Sequence, residues 1–161
     1  MHINGWGLYC SSCFDAILDD LIKTVIALKD KDPNGYISHE KSKHLRRIYL
    51  AITEDVPQDP LHSKFNLGKN TLGKHRQAWK RVKAGLPERY RLFFKRSTET
   101  HTIVYAWVNN SKCLRKDGAR TDVYRVFEAM LRKREIAENY DVLLSRASEL
   151  DTTEEQRLVL Q

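Results

Sequence analysis

The sequence predicts an α+β domain: an N-terminal strand and a helical hairpin packed on an antiparallel sheet, with a C-terminal helix. Three observations carry this. Apolar residues recur at helical spacing in two early segments, from Phe14 to Val25 and from Leu45 to Ile52. From Trp79 the period changes to two, and a nearly all-apolar run follows at Thr102–Val108. The resulting order β, α, α, β, β, β, α, with helices early and strands late, places the helices on one face of the sheet.

Each element has its own local reason. In residues 5–10, Trp6, Leu8 and Cys10 alternate with the glycines and Tyr9, as in a short strand. Ser12 with Asp15 three residues on reads as a variant capping box. The helix it opens has Phe14, Ile17, Leu18, Leu21, Ile22 and Val25 on one stripe. It ends by Asp32-Pro33, because a residue before proline avoids the α region, and Asn34-Gly35 completes the turn. Ser38 caps a second helix over 39–55, with Leu45, Ile48, Tyr49 and Ile52 as its stripe and Pro57 and Pro60 as its stop. Residues 58–78 have no clean period and read as a long basic loop. Beyond Trp79, Arg81 and Lys83 share one strand face, with Val82 and Ala84 on the other. Gly85-Leu86-Pro87 turns the chain. Tyr90, Leu92 and Phe94 then alternate with Arg91, Phe93 and Lys95, which puts Arg91 on the wet face. Ser97–Thr100 is a hairpin connection, and Thr102–Val108 a central strand covered on both faces. Residues 109–120 form a loop, and Thr121 caps a third helix with Val123, Val126, Phe127, Met130 and Leu131 inward. The domain spans 1–140, and residues 141–161 read as a polar, loosely attached tail.

The charge is unevenly distributed. The 161 residues carry 28 basic and 21 acidic side chains, a net charge of +7. Residues 61–120 alone hold 15 basic and 3 acidic residues, a balance of +12, while the flanking segments are slightly acidic. Such a block favours a polyanionic partner. No run of about 18 apolar residues suggests a membrane span, and the N-terminus lacks the pattern of a secretory signal. Three cysteines do not suit a disulfide scaffold, so a reduced, cytoplasmic setting is expected.

Several motifs promise chemistry without supporting it. Gly68-Lys69-Asn70-Thr71-Leu72-Gly73-Lys74-His75 is one residue short of a phosphate-binding loop. A histidine stands where the hydroxyl is needed, no buried strand precedes the motif, and no amphipathic helix follows it. A flexible basic loop is the better reading. Cys10-Ser-Ser-Cys13 is a lone pair without the two further ligands of a structural zinc site, so Cys10 is expected to face the core. The six histidines show no metal-ligand spacing, and no Gly-x-Ser-x-Gly occurs. The basic set differs in kind. Arg81, Lys83, Arg91, Arg115, Lys116 and Arg120, with Tyr124 on the third helix, could converge on one concave surface if the strands pair as neighbours. A surface of this kind suits phosphate recognition, base stacking, or stabilisation of negative charge on a phosphorane. Alternation on a half-exposed sheet would equally put polar residues on its wet face.

The chain resembles the YhaV toxins, a branch of the RelE-like ribonuclease toxins of bacterial type II toxin–antitoxin systems. The matching pieces are Asn4-Gly5-Trp6 with Leu8-Tyr9, and Phe65-x-x-Gly68-Lys69 with Leu72-Gly73. They continue with Trp79-x-Arg81-Val82-Lys83-x-Gly85, Arg89-Tyr90-Arg91-Leu92-Phe93-Phe94 and Thr121-Asp122-x-Tyr124-x-Val126-Phe127. They occur in the family's order over roughly residues 4–140. The resemblance implies a RelE-like fold and cleavage of mRNA, in related toxins often on the ribosome. It implies metal- and cofactor-independent attack by the 2′-hydroxyl, leaving a 2′,3′-cyclic phosphate. Carried over by position, Arg81 and Lys83 match a pair of strand basic residues. Arg91 matches the arginine that stabilises the pentacovalent intermediate. Arg115 or Arg120 matches the loop arginine. Tyr124 matches the aromatic that packs on a base or helps activate the 2′-hydroxyl. Lys69, Lys74, His75, Lys80, Arg89 and Lys116 are candidates for contacting RNA. The implied partner is a PrlF-like, swapped-hairpin antitoxin, through which alone the protein would meet operator DNA. From another class, a non-catalytic RNA- or DNA-binding module would use the same basic face.

Overall fold

In a computed structural model that describes residues 1–160, the N-terminal strand β1 (His2–Ile3) turns back antiparallel onto β2 (Trp6–Cys10). Helix α1 (Ser12–Lys31) follows at once, capped by Ser11 rather than Ser12. The Ser11 hydroxyl accepts the Phe14 amide at 3.1 Å and donates to the Ala106 carbonyl at 2.6 Å, so the cap is fixed from a neighbouring strand. The helix stops at Asp32 as its Pro33 predicts. Helix α2 (Glu40–Leu50) is capped by His39, whose Nδ1 accepts the Lys41 amide, while Ser38 belongs to the preceding 3₁₀ turn.

Pro57 does not end this helix as expected. The chain passes through a π turn at Ala51–Asp55 and into a last short turn, α3 (Val56–Gln58), which contains the proline. In the widened register, Pro57 has no amide hydrogen for the Ile52 carbonyl. The fully buried Tyr105 hydroxyl donates to that carbonyl instead, at 2.7 Å.

Strands β3 (Lys80–Val82), β4 (Leu92–Ser97) and β5 (Thr102–Val108) form an antiparallel meander. However, β2 lies parallel to β5, with Leu8 opposite Ile103, so the sheet is mixed, in the order β1-β2-β5-β4-β3. The expected purely antiparallel sheet is thus corrected. Side-chain periodicity reports which face a residue takes and is silent on strand direction.

The helices also cover both faces rather than one. Phe14, Leu18, Ile22 and Val25 of α1 and Leu45 and Ile48 of α2 pack with Ile103 and Tyr105 in one core. On the opposite face, α4 (Val123–Arg132) and α5 (Tyr140–Arg146) bring Val123, Phe127, Leu131 and Leu143 onto Phe93, Val104 and Ala106. All seven residues of β5 are buried, as its apolar run predicts.

Two segments are better ordered than their patterns suggest. In residues 58–78, Pro60, Phe65, Leu67 and Leu72 are buried and two 3₁₀ turns form, at Ser63–Phe65 and Lys74–Arg76. The Gly68–His75 stretch is turn and 3₁₀ structure, not the strand–loop–helix of a phosphate loop. Beyond residue 140, where a loosely attached tail is expected, β6 (Ser148–Glu149) pairs antiparallel with β2. Helix α6 (Glu154–Leu160) then packs against α1 and α2, burying Val159 and Leu160.

Cys10 faces the core, and burial with nearby Asp15 pushes its thiol up to about 12. Among the described residues no three His, Cys, Asp or Glu side chains gather as metal ligands, and no helix is long and apolar enough to cross a membrane.

Candidate active site

The N-terminal end of β4, the loop after β5 and the first turn of α4 meet at Arg91. Its side chain is only 7% exposed. Nε donates to the Tyr124 hydroxyl at 3.1 Å and Nη1 to the Tyr90 carbonyl at 2.8 Å. Nη2 makes no hydrogen bond among the described residues, and no carboxylate lies within ion-pairing distance of the guanidinium. Arg91 is therefore not on a wet strand face. Alternation assigns it there, but α4 covers that face and Tyr124 lies against it.

Tyr124 is itself buried and belongs to the second core. Its ring meets Phe93 edge-on at 5.7 Å, and Phe93 stacks on Phe127 at 4.1 Å and 8°. Trp107 continues the stack and Trp79 closes it edge-on at 5.0 Å. This aromatic block fixes the Tyr124 hydroxyl, and through it the Arg91 fork.

Asp122, not Thr121, caps α4. Its Oδ2 accepts the Tyr124 amide at 3.1 Å, and its Oδ1 accepts Arg115 Nη1 at 2.7 Å and the Lys116 amide at 2.6 Å. One buried carboxylate thus starts the helix and holds Arg115 over the Tyr124 ring, 5.2 Å from its centroid. The Asp122 hydrogen bond raises the already high pKa of Arg115.

Asn109 ties the loop to the strand. Its Oδ1 accepts the Arg91 amide at 2.8 Å, and its Nδ2 donates to the carbonyls of Cys113 at 2.8 Å and Arg89 at 3.2 Å. Arg89 sits at φ +71°, a conformation uncommon for a side chain with a Cβ. Its Nε donates to the Arg115 carbonyl and its own carbonyl accepts the Arg115 amide. Asn109→Ala would leave two buried backbone groups unpartnered, the Arg91 amide and the Cys113 carbonyl, so a loss of about 2–4 kcal/mol is expected. Urea denaturation of the variant measures it.

These groups line two adjoining clefts. One, of about 570 Å³, has Lys83, Arg89, Arg91 and Arg115 in its wall. The other, of about 750 Å³, has Arg115, Arg120 and Tyr124 together with Asn70, Thr71, Arg125 and Arg132. Arg115 lines both clefts, and Arg120 lines only the larger one.

Other candidates lie elsewhere. Arg81 does not pair with Lys83 in a cleft. Its Nη1 donates to the Asn66 carbonyl at 2.5 Å, because the 58–78 segment covers the β3 edge. Lys80 Nζ donates to Asn66 and Gln77, and burial beside Arg96 lowers its pKa. Lys69, Lys74 and His75 are exposed and line neither cleft, and Lys116 is exposed with its amide on Asp122. On the α2 side of the Arg91 cleft, the His44 ring packs on Tyr90 at 4.4 Å, and burial pushes its pKa down to about 4.

Sequence reasoning does not reach Asn109, Asp122 as a charge anchor, Arg125 or Arg132. The last two have a signal: they are seven apart on α4, which puts them on one face. Asn109 looks like any turn residue after a strand. Chemically, several guanidinium forks and a lysine around a cleft whose single acid, Glu88, is exposed can hold a phosphodiester and stabilise charge that builds on it.

A family model described as "Toxin with endonuclease activity, of toxin-antitoxin system" matches residues 8–148. "Toxin YhaV" of Escherichia coli O6:H1 (strain CFT073) is 38% identical over 132 residues, covering 82% of this chain and 85% of that protein. "Ribonuclease toxin YhaV" of Escherichia coli (strain K12) is 35% identical over 148 residues, 92% of this chain and 96% of the relative. No solved structure matches the chain.

Proposed function

The chain belongs to the YhaV toxin family, and from that premise we propose that it is an endoribonuclease that cleaves mRNA without a metal and is neutralised by a cognate antitoxin. One observation carries the reading: Arg91 is a buried cation without a carboxylate partner. A desolvated charge is costly unless it is paired. The groups around it (Lys83, Arg89, Arg115) are all cationic apart from Glu88 at the rim, so the counter-charge must come from outside. A phosphodiester supplies it.

In this mechanism the 2′-oxygen attacks the adjacent phosphorus in line. Its proton leaves, the bond from phosphorus to the 5′-oxygen breaks, and that oxygen takes up a proton. The products are a 2′,3′-cyclic phosphate and a 5′-hydroxyl. The free Nη2 edge of Arg91 and the Arg115 fork hold the non-bridging oxygens, where negative charge grows in the phosphorane. Tyr124 acts through Arg91, whose Nε it receives, and Asp122 acts through Arg115. Lys83 and Arg89 draw in the strand.

The same reading extends to a RelE-like fold, a cytoplasmic setting, action on ribosome-bound mRNA, and a PrlF-like antitoxin that alone contacts operator DNA. The test is incubation of the purified protein with mRNA in EDTA, with and without ribosomes. Fragments ending in cyclic phosphate are expected. Uncut RNA in both arms, with tight binding, would overturn the reading in favour of a non-catalytic binding module.

A further inference from the structure

The larger cleft holds more positive charge than the reaction at Arg91 uses. Arg115 and Tyr124 form the wall it shares with the Arg91 site, Arg120 comes from the loop, and Arg125 and Arg132 come from one face of α4. Its acids are already committed. Asp122 is fully occupied by Arg115, Lys116 and Tyr124, Asp117 lies 3.7 Å from Arg115, and Glu128 lies 3.8 Å from Arg76. Arg120, Arg125 and Arg132 have no ion-pair partner among the described residues. Composition does not explain the cluster, because residues 121–161 carry 9 acidic against 6 basic side chains. Along α4 the signs alternate, Asp122, Arg125, Glu128, Arg132, but Asp122 is taken by Arg115 and Glu128 faces Arg76. Three unpaired arginines around one concavity create a field that concentrates an anion.

Resting on the ribonuclease reading, we propose that this cleft is a subsite for the nucleotide next to the scissile phosphate. Arg120, Arg125 and Arg132 hold its phosphate as forks, and Asn70 and Thr71 offer hydrogen-bonding groups to its base or sugar. At about 750 Å³ the cleft has the size usual for such a ligand. Its wall through Arg115 and Tyr124 sets the neighbouring phosphate beside the reacting one. Binding energy gathered here would position the strand for in-line attack at Arg91.

The test begins with wild-type protein and mRNA, which maps a cut site and stands or falls with the ribonuclease reading alone. Oligoribonucleotides spanning that site are then prepared with each non-scissile phosphate in turn replaced by a neutral methylphosphonate. For the wild type, one neutral linkage next to the cut should raise KM about tenfold. In the Arg125→Ala/Arg132→Ala double variant the same replacement should change KM little, because the partners are already gone. The variant's salt dependence of RNA binding should also become shallower, by about 0.7 log units per log unit of salt for each phosphate it no longer holds. If the wild type cuts mRNA but the variant shows the same KM, the same salt slope and the same methylphosphonate penalty, the subsite is wrong while the ribonuclease stands. Loss of antitoxin affinity with RNA affinity intact would likewise overturn it, marking the cleft as a protein-binding surface.

Discussion

Arg91→Ala should lower the rate of RNA cleavage by about 10²–10³-fold, the scale seen when one charge-stabilising donor is removed from a preorganised site. It should do so without unfolding the protein. An arginine that serves the fold is paired, and its loss leaves a stranded acid. Arg91 has no acid to strand, so its removal takes an uncompensated charge out of a buried site. The melting temperature is therefore expected within about 4 °C of the wild type. Arg91→Lys keeps the charge but cannot reach the Tyr124 hydroxyl, the Tyr90 carbonyl and a phosphate at once, so it too should lose at least about tenfold. Cleavage of a fluorogenic RNA by both variants, beside thermal melts, separates the two effects. Full activity in Arg91→Ala would remove this residue from the centre of the site.

Arg91 also shows how far a sequence pattern reaches. Its position is legible, because Arg89-Tyr90-Arg91 precedes a strand with clear alternation. Its surroundings are not. Alternation says that Arg91 and Phe93 share a face and leaves open what covers that face, and here α4 lays Tyr124 and Phe127 over it. The apolar stripes locate α1, α2 and α4 to within a few residues, since burial against the core is what makes a stripe. Caps are less secure: Ser11, His39 and Asp122 each displace an adjacent residue because a tertiary contact or turn geometry favours them.

The site divides the same way. Charge and periodicity single out Lys83, Arg91, Arg115, Arg120 and Tyr124, which the fold brings around the two clefts. They also put Arg81 beside Lys83, because two residues on one face of an ideal strand are neighbours. Strand β3 is three residues long and its edge is occupied by Asn66, so Arg81 is drawn away. Asn109 is beyond reach, since a buried amide joining three backbone groups has no signature short of the folded loop.

Deletion of everything after residue 140 should prevent the chain from folding. The weak pattern of this segment follows from its packing, because each short element touches the body with only a few residues and no stripe develops. Those residues are nevertheless buried: Leu143 under α5, Leu150 beside β2, and Val159 and Leu160 against the helical hairpin. At about 1.5–3 kcal/mol for each large apolar side chain withdrawn from water, their loss is comparable with the whole stability of a typical domain, about 5–15 kcal/mol. The deletion also unpairs the outer edge of β2, where Tyr9 faces Glu149 and the Leu150 amide donates to the Leu8 carbonyl at 2.8 Å. An exposed strand edge beside uncovered apolar surface favours aggregation. The truncated protein should therefore lose its cooperative thermal transition and appear in the insoluble fraction. A monomeric, cooperatively melting product that still cleaves RNA would mean that these interactions contribute little, and that the catalytic body is complete without the elements that close its far side.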